Sequence, residues 1–233
     1  MGAGRARSGR HGSLSCHCLS PATLSAPPLH VAGTGSFALE IVEYARAAGR
    51  HVAGLIELHD PTRVGTVIHG LPVVAAAAVP SAAAEAVLGS GGDRPGQWRV
   101  LSDQGWCASG PILHPTAHVS PSAELADGCV VGAGVVIGAA TRLGPHVLVS
   151  RGALVGHHVV LGAGVVLNPG ANVAGNTQVG AGARIGMGAM VVNGIAVGAG
   201  AVVPAGAVVV RPVPDGVRVQ GVPARAFVPA ATA

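Results

Sequence analysis

A small α/β unit followed by a long parallel β-helix is the fold class that this 233-residue sequence predicts, and three observations predict it. Written in blocks of six from Ile112, the second residue of every block is aliphatic, from Leu113, Val119 and Leu125 through to Val203 and Val209, 17 slots in all. Leu, Ile and Val make up 31 of the 97 residues from 113 to 209, so random scatter would fill every slot with odds on the order of less than one in a million. Composition agrees: 10% of residues are charged, 2% are aromatic and 37 are Gly, far from an average globular chain. Upstream, Gly33-Thr34-Gly35 sits between an apolar stretch and a helical pattern, as a strand-turn-helix unit requires.

Residues 1–28 carry Arg5, Arg7 and Arg10, no acidic residue and no periodicity, and read as a disordered tail. An apolar core for secretion is missing. The formal charge of +4 owes much to these arginines, and the near-neutral remainder gives little support for nucleic-acid or anionic-membrane partners. Cys16, Cys18, Cys107 and Cys129 have no zinc spacing and read as free thiols in a reducing cytosol.

Residues 29–110 form a βαβ domain in this reading. Leu29–Ala32 is a strand entering the turn. A helix follows to about Ala48 with Phe37, Ile41, Tyr44 and Ala48 on one face, and Gly49 closes it. His51–Ile56 is a second strand, with Glu57 just beyond it. The turn residues Gly33, Thr34, Gly35, Ser36 and Phe37 fit a dinucleotide pattern, and Glu57 falls near where a ribose-binding acid belongs. The domain has room for only half a dinucleotide fold, so a nucleotide bearing one sugar fits better than NAD, its phosphates at the helix N-terminus. The glycines also fit a purely structural tight turn. Val64–Val74 ends as another strand, Pro80–Leu88 reads as a short Ala-rich helix, Gly89–Asp93 as a loop and Gln97–Ser102 as a further turn of helix.

Residues 111–213 are the repeat. In each block the aliphatic points inward, and Gly follows it directly or three residues later, at corners that a Cβ would penalise. Small residues such as Ala153, Ala171 and Ala189 fill the space beside the aliphatics. Gly152–Ala183 and Ile185–Val210 lack Asp, Glu, Lys and Arg over more than the ~20 residues of a spanning helix. Their period of six and recurrent Gly make a poor helix and a good prism. Residues 214–233 then serve as cap and tail, since a stacked array needs its ends covered.

His157 lies two residues after the inward Val155, near a corner and facing outward, where an apolar prism offers it no packing role. An imidazole with pKa near 6.5 suits proton removal from an acyl acceptor at neutral pH. Gly175 is 18 residues on, one coil of three blocks, and stacks on His157 at ~4.8 Å. His114, His118 and His146 read as solvated corner residues.

Residues 29–225 resemble the hexapeptide-repeat acyltransferases, specifically the nucleotide-sugar N-acetyltransferases and sialic acid O-acetyltransferases. Leu154–Gly180 resembles the family's catalytic coils, and Gly221-Val222-Pro223-Ala224-Arg225 its terminal motif. The resemblance implies a left-handed parallel β-helix forming a triangular prism with three blocks per coil, a handedness that spacing alone does not decide. It also implies acetyl-CoA as donor with no metal, His157 as base, and the Gly175 N–H as stabiliser of the tetrahedral oxyanion. Donor contacts fall on Gly175, Asn176, Gly186, Gly188, Ala189, Pro223 and Arg225, between the prisms of a cytoplasmic homotrimer. The acceptor is the amino or hydroxyl group of a sugar or nucleotide-sugar. One feature departs from the family: the carboxylate often beside the base is replaced by Gly156 and His158, so His158 is the candidate to hold the tautomer. Two rival readings are a metal-dependent hydratase on the same prism, for which no ligand carboxylate accompanies the histidines, and a non-catalytic assembly subunit, which has no need of the Gly-rich turn.

Overall fold

The computed structural model describes residues 27–79 and 84–227; the predicted N-terminal tail lies outside the described residues. A six-stranded sheet opens the described chain, with residues 67–68 at one edge, then 71–75, 52–57, 29–32 and 85–88, and residues 107–108 at the other edge. Its strands are β1 (Leu29–Ala32), β2 (Val52–Glu57), β3 (Val67–Ile68), β4 (Leu71–Ala75), β5 (Glu85–Leu88) and β6 (Cys107–Ala108). All pairings are parallel except β3 with β4. Helix α1 (Ser36–Ala47) buries Ala38, Ile41, Val42, Tyr44 and Ala45, a wider stripe than the predicted face. The reason is that α1 is sandwiched: one apolar cluster joins it to the sheet and to Ile112, Val130, Leu148 and Val166 of the repeat.

Two expectations in this unit change. The Ala-rich segment ending at Leu88 is not a helix; Glu85–Leu88 is β5, paired in parallel with β1, while residues 80–83 lie outside the described residues. Burial against the central strand outweighs the helical propensity of alanine. The single turn expected at Gln97–Ser102 is the ten-residue helix α2 (Arg94–Asp103), started by the Asp93 carboxylate, which accepts from the Gly96 N–H at 3.1 Å, with Pro95 in its first turn.

From Ile112 the chain winds into 17 two-residue strands stacked as three parallel sheets of six, six and five. Register is one coil of 18 residues, as in Leu154↔Asn172 and Val160↔Gln178. The first face (strands at 112, 130, 148, 166, 184 and 202) is covered by the α/β unit; the second (118, 136, 154, 172, 190, 208) and third (124, 142, 160, 178, 196) are not. Inward aliphatics from Val131 to Val209 fill the prism core. Truncating one, for example Leu161→Ala, would cost ~2–5 kcal/mol through lost burial and the cavity left between coils.

The corner glycines fall into two groups with different causes. Those three positions after the aliphatic, such as Gly152 and Gly182, have φ of 65° and 68° and use glycine's left-handed freedom. Those directly after it do not; a Cβ on Gly162 or Gly180 would lie 2.6 or 2.4 Å from the backbone N of the next coil. Close stacking is their reason. At the C-terminal end Val213 and Val219 join the core, and a hairpin of Val219–Gln220 with Arg225–Ala226 closes the prism. The other end is more open, with Leu113 37% exposed.

Candidate active site

The carboxyl ends of β1, β2 and β5 meet in a cavity of about 330 Å³, the position where open parallel sheets bind ligands. Five of the six residues expected to bind substrate, Gly33, Thr34, Gly35, Phe37 and Glu57, line it, and the sixth, Ser36, lines an adjoining cavity of about 360 Å³ between α1 and the prism. Gly35 is the N-cap of α1, offers no side-chain cap and has φ −76°. A Cβ there would meet nothing within 4 Å. The first-turn N–H groups of α1 thus lie beside open space, the arrangement that favours an anion.

Glu57 is held differently from the ribose ligand that the sequence suggested. Oε1 accepts from the N–H groups of Leu58, His59 and Asp60 at 2.9, 2.7 and 3.0 Å, and Oε2 accepts from the Thr34 hydroxyl. Burial works against its charge, but Thr34 and these three N–H groups together hold the carboxyl below its usual range. Glu57 and Thr34 therefore shape the wall. Arg63 donates to Thr34 Oγ1 at 3.0 Å and brings a cation to the cavity rim. Ser90, Gly91 and Gln97 complete the wall, and sequence reasoning missed all three because β5 was read as helix. Asp60-Pro61, a turn-start signal, could have flagged Arg63.

His157 stands at the corner between the second and third faces, exposed as predicted. Gly138 and Gly156 allow the coils to close there: a Cβ on Gly138 would sit 2.7 Å from the His157 N, and one on Gly156 2.5 Å from the Gly175 N. Gly175 lies directly on the histidine, since its own Cβ would fall 2.8 Å from both Cε1 and Nε2 of the ring. Among the described residues the Gly175 N–H donates to no backbone carbonyl. The other ring nitrogen of His157, Nδ1, is 3.1 Å from Nδ1 of His158, with the rings edge-to-face. His158 adopts φ 54°, and Asn176 stacks on it at φ 56° with its amide 3.4 Å from Asn193 Oδ1.

The remaining predicted donor residues lie elsewhere in this chain. Gly186, Gly188 and Ala189 form the corner between the first and second faces, and Ala189 is buried in the prism core, leaving only its backbone for contact. Pro223 and the exposed Arg225 are in the C-terminal hairpin region. The acceptor cavity also opens at the first-to-second corner, beside Ser150, Asn168 and Pro169. Between that corner and His157 lies one six-residue block of extended chain, ~20 Å at ~3.3 Å per residue.

One histidine departs from its expected role. His146 is buried, not solvated: its ring stacks on Trp98 at 4.3 Å and its Nδ1 has no hydrogen-bond partner. Burial, with Arg94 nearby, pushes its pKa down to about 4. His114 packs edge-on against Tyr44. Cys129 is buried and its thiol pushed up to about 11, chiefly by burial, which keeps it unreactive. Cys16 and Cys18 lie outside the described residues. Among the described residues no three His, Cys, Asp or Glu side chains converge as a metal site, and no helix is long and apolar enough to cross a membrane.

A family model described as the hexapeptide repeat of succinyl-transferase matches residues 119–139 and 176–211. A mutant of perosamine N-acetyltransferase from Caulobacter crescentus, solved with CoA and GDP-perosamine, superposes with a TM-score of 0.79 at 33% identity over 88% of this chain and 99% of its own. The chain belongs to the hexapeptide-repeat sugar N-acetyltransferases. The family's acetyltransferase domain of PglB from Neisseria gonorrhoeae, solved with acetyl coenzyme A, gives 0.77 at 32% identity over 86% of this chain and 98% of that domain. WeeI from Acinetobacter baumannii AYE shares the fold, with a TM-score of 0.77 at 24% identity over 86% of this chain and 99% of its own. No curated protein matches the sequence. Membership in this family makes the protein an acyltransferase and removes the assembly-subunit reading.

Proposed function

We propose that the protein moves the acetyl group of acetyl-CoA directly to an amino group of a nucleotide-linked sugar, with His157 as general base. The observation that carries this reading is the stacking of His157 on Gly175, so close that a Cβ there would fall 2.8 Å from Nε2, which brings a proton acceptor near a residue whose N–H donates to no backbone carbonyl among the described residues. The two Nδ1 atoms of His157 and His158 can share only one proton. With that proton on His157, its Nε2 lone pair is free and faces the corner. The neutral amine attacks the thioester carbonyl, and His157 Nε2 takes the amine proton. The Gly175 N–H stabilises the oxyanion, and the C–S bond breaks as coenzyme A leaves and takes up a proton. His158 supplies the orienting contact that a carboxylate supplies elsewhere.

Nitrogen rather than oxygen as acceptor is favoured by the relative that binds GDP-perosamine at 33% identity. The nucleotide would occupy the cavity at the α1 N-terminus. Because that cavity and His157 are about one block apart on the same prism, a homotrimer is the assembly that completes the site: the second-to-third corner of one copy meets the sugar held by its neighbour. Gly186, Gly188, Asn176 and Arg225 then face the donor from both sides of the seam. A cytoplasmic setting follows from dependence on acetyl-CoA.

The test is a screen of GDP- and UDP-linked amino sugars and free sugars with acetyl-CoA, following thiol release. Turnover of a nucleotide amino sugar, unaffected by chelators, supports the reading; turnover of free sugars alone overturns the nucleotide site. Mixing inactive His157→Ala subunits with Gly35→Val subunits, assayed at acceptor concentrations far below the KM of Gly35→Val, should raise turnover above that of Gly35→Val alone, because hybrid trimers contain seams with both features intact. No recovery in proven hybrids would sink the shared site.

A further inference from the structure

Loop Ser90–Gly92 separates the two cavities, and Gly91 lines both. Its carbonyls are drawn away by two arginines that line neither. Arg94, on α2 and fully buried, donates from Nη1 to Leu88 O at 3.2 Å and Ser90 O at 2.5 Å, and from Nε to His146 O at 2.6 Å. Arg184, on the first face of the prism, donates from Nη1 to Gly91 O and to Gly92 O at 3.1 Å. All three carbonyls of the loop, and that of Leu88 at the end of β5, are thereby turned to cations. In a planar trans peptide the following N–H points opposite to the C=O. The Gly91 and Gly92 N–H groups are therefore directed away from the arginines; the latter reaches Ser90 Oγ at 3.3 Å, and among the described residues no hydrogen bond uses the former. Without the clamp the carbonyls would be free to turn inward and repel an anion.

We propose that Arg184 is a positioning residue for the acceptor: acting from the prism through the Gly91 and Gly92 carbonyls, it holds the loop with its amide edge toward the cavities, where a phosphate oxygen of the nucleotide binds. The proposal rests on the nucleotide-sugar reading and adds to it a link between the β-helix and the acceptor site. Arg184 is the better probe of the two, because Arg94 is part of the buried packing, whereas Arg184 is only half-buried. Nη1 alone reaches both carbonyls, held there by the planar guanidinium; an ammonium keeps the charge on a more flexible stem without that plane.

The experiment compares wild type, Arg184→Gln and Arg184→Lys in steady-state kinetics, with binding of GDP and UDP alone by calorimetry. In Arg184→Gln the acceptor KM should rise roughly tenfold, the nucleotide Kd should rise in parallel, and kcat and the acetyl-CoA KM should stay within about twofold. Arg184→Lys should recover part of the loss. An unchanged acceptor KM and nucleotide Kd with a lowered melting temperature would overturn the proposal and make Arg184 a strut between the units. A fall in kcat with acceptor KM unchanged would overturn it as well. If wild type turns over no nucleotide sugar and binds neither nucleotide, the underlying functional reading fails and this proposal with it.

Discussion

His146 and His158 occupy the same position of the six-residue block, two blocks apart, and share a left-handed backbone at φ 58° and 54°. Their surroundings differ in everything else. The corner bearing His146 lies under α2, where Trp98 stacks on the ring and the low-dielectric seam drives the imidazole to its neutral form. The corner bearing His158 is bare, and its neighbour His157 is exposed with one ring nitrogen occupied and the other against Gly175. The repeat dictates the backbone at both corners. What covers the corner decides whether a histidine there packs or stays open to a ligand.

The comparison breaks most sharply on His157. Replacing it with Ala should lower kcat by roughly 10²- to 10⁴-fold, the usual worth of a positioned base, with the melting temperature unchanged because the ring touches only the outer surface. Near-normal turnover by His157→Ala would end the assignment. The next largest effect belongs to Gly175→Ala. Its φ needs no glycine, but the added Cβ would press on the imidazole at 2.8 Å. Displacing the base by about an ångström should cost roughly 10²-fold in kcat, and wild-type activity in this variant would show that the ring does not work against Gly175.

The prism was legible because its rule is local and repeated: one inward aliphatic and one corner in six residues, each read off the block itself. The exposed corner placement of His157 was legible for the same reason, since the residue broke the apolar pattern without a packing purpose. The α/β unit was less so. Glu85–Leu88 is a strand only because β1 lies beside it, a pairing across more than 50 residues that alanine-rich composition contradicts. With that strand misread, the Ser90–Gly92 loop and its arginines had no place at the ligand-binding edge. Arg94 and His146 meet across 52 residues, and no spacing announces such a contact.

The two regions can also be separated kinetically at a smaller scale. Gly35→Val adds a side chain that meets no protein atom within 4 Å in its first carbon and suits an ordinary φ, so it should fill only ligand space. We expect the acceptor KM to rise roughly tenfold, equivalent to ~1.4 kcal/mol, with the acetyl-CoA KM unchanged. Equal weakening of both substrates would mean that the turn is structural. Gly33, at φ 130°, is a poorer probe because any side chain strains its backbone.

The smallest effect tests the covered corner. His146 is neutral in the folded protein down to about pH 4, whereas in the unfolded chain it ionises near 6.5. Between those values the unfolded state binds the proton that the folded state refuses, so stability is fully present above about pH 6.5 and declines as pH falls toward about 4. Below that both states are protonated and this contribution stops changing. Wild type should therefore lose roughly a few degrees of melting temperature between pH 7 and 5 from this residue. His146→Asn tolerates the left-handed backbone and cannot titrate; it should melt lower at pH 7 through loss of the Trp98 stack, yet show a flatter decline on acidification. The same substitution at His158 removes an exposed ring with no stacking partner but His157, and should leave the melting temperature at pH 7 nearly as it was. If His146→Asn retains the wild-type slope between pH 7 and 5, the imidazole under α2 is not held neutral, and the two corners differ less in environment than their burial implies.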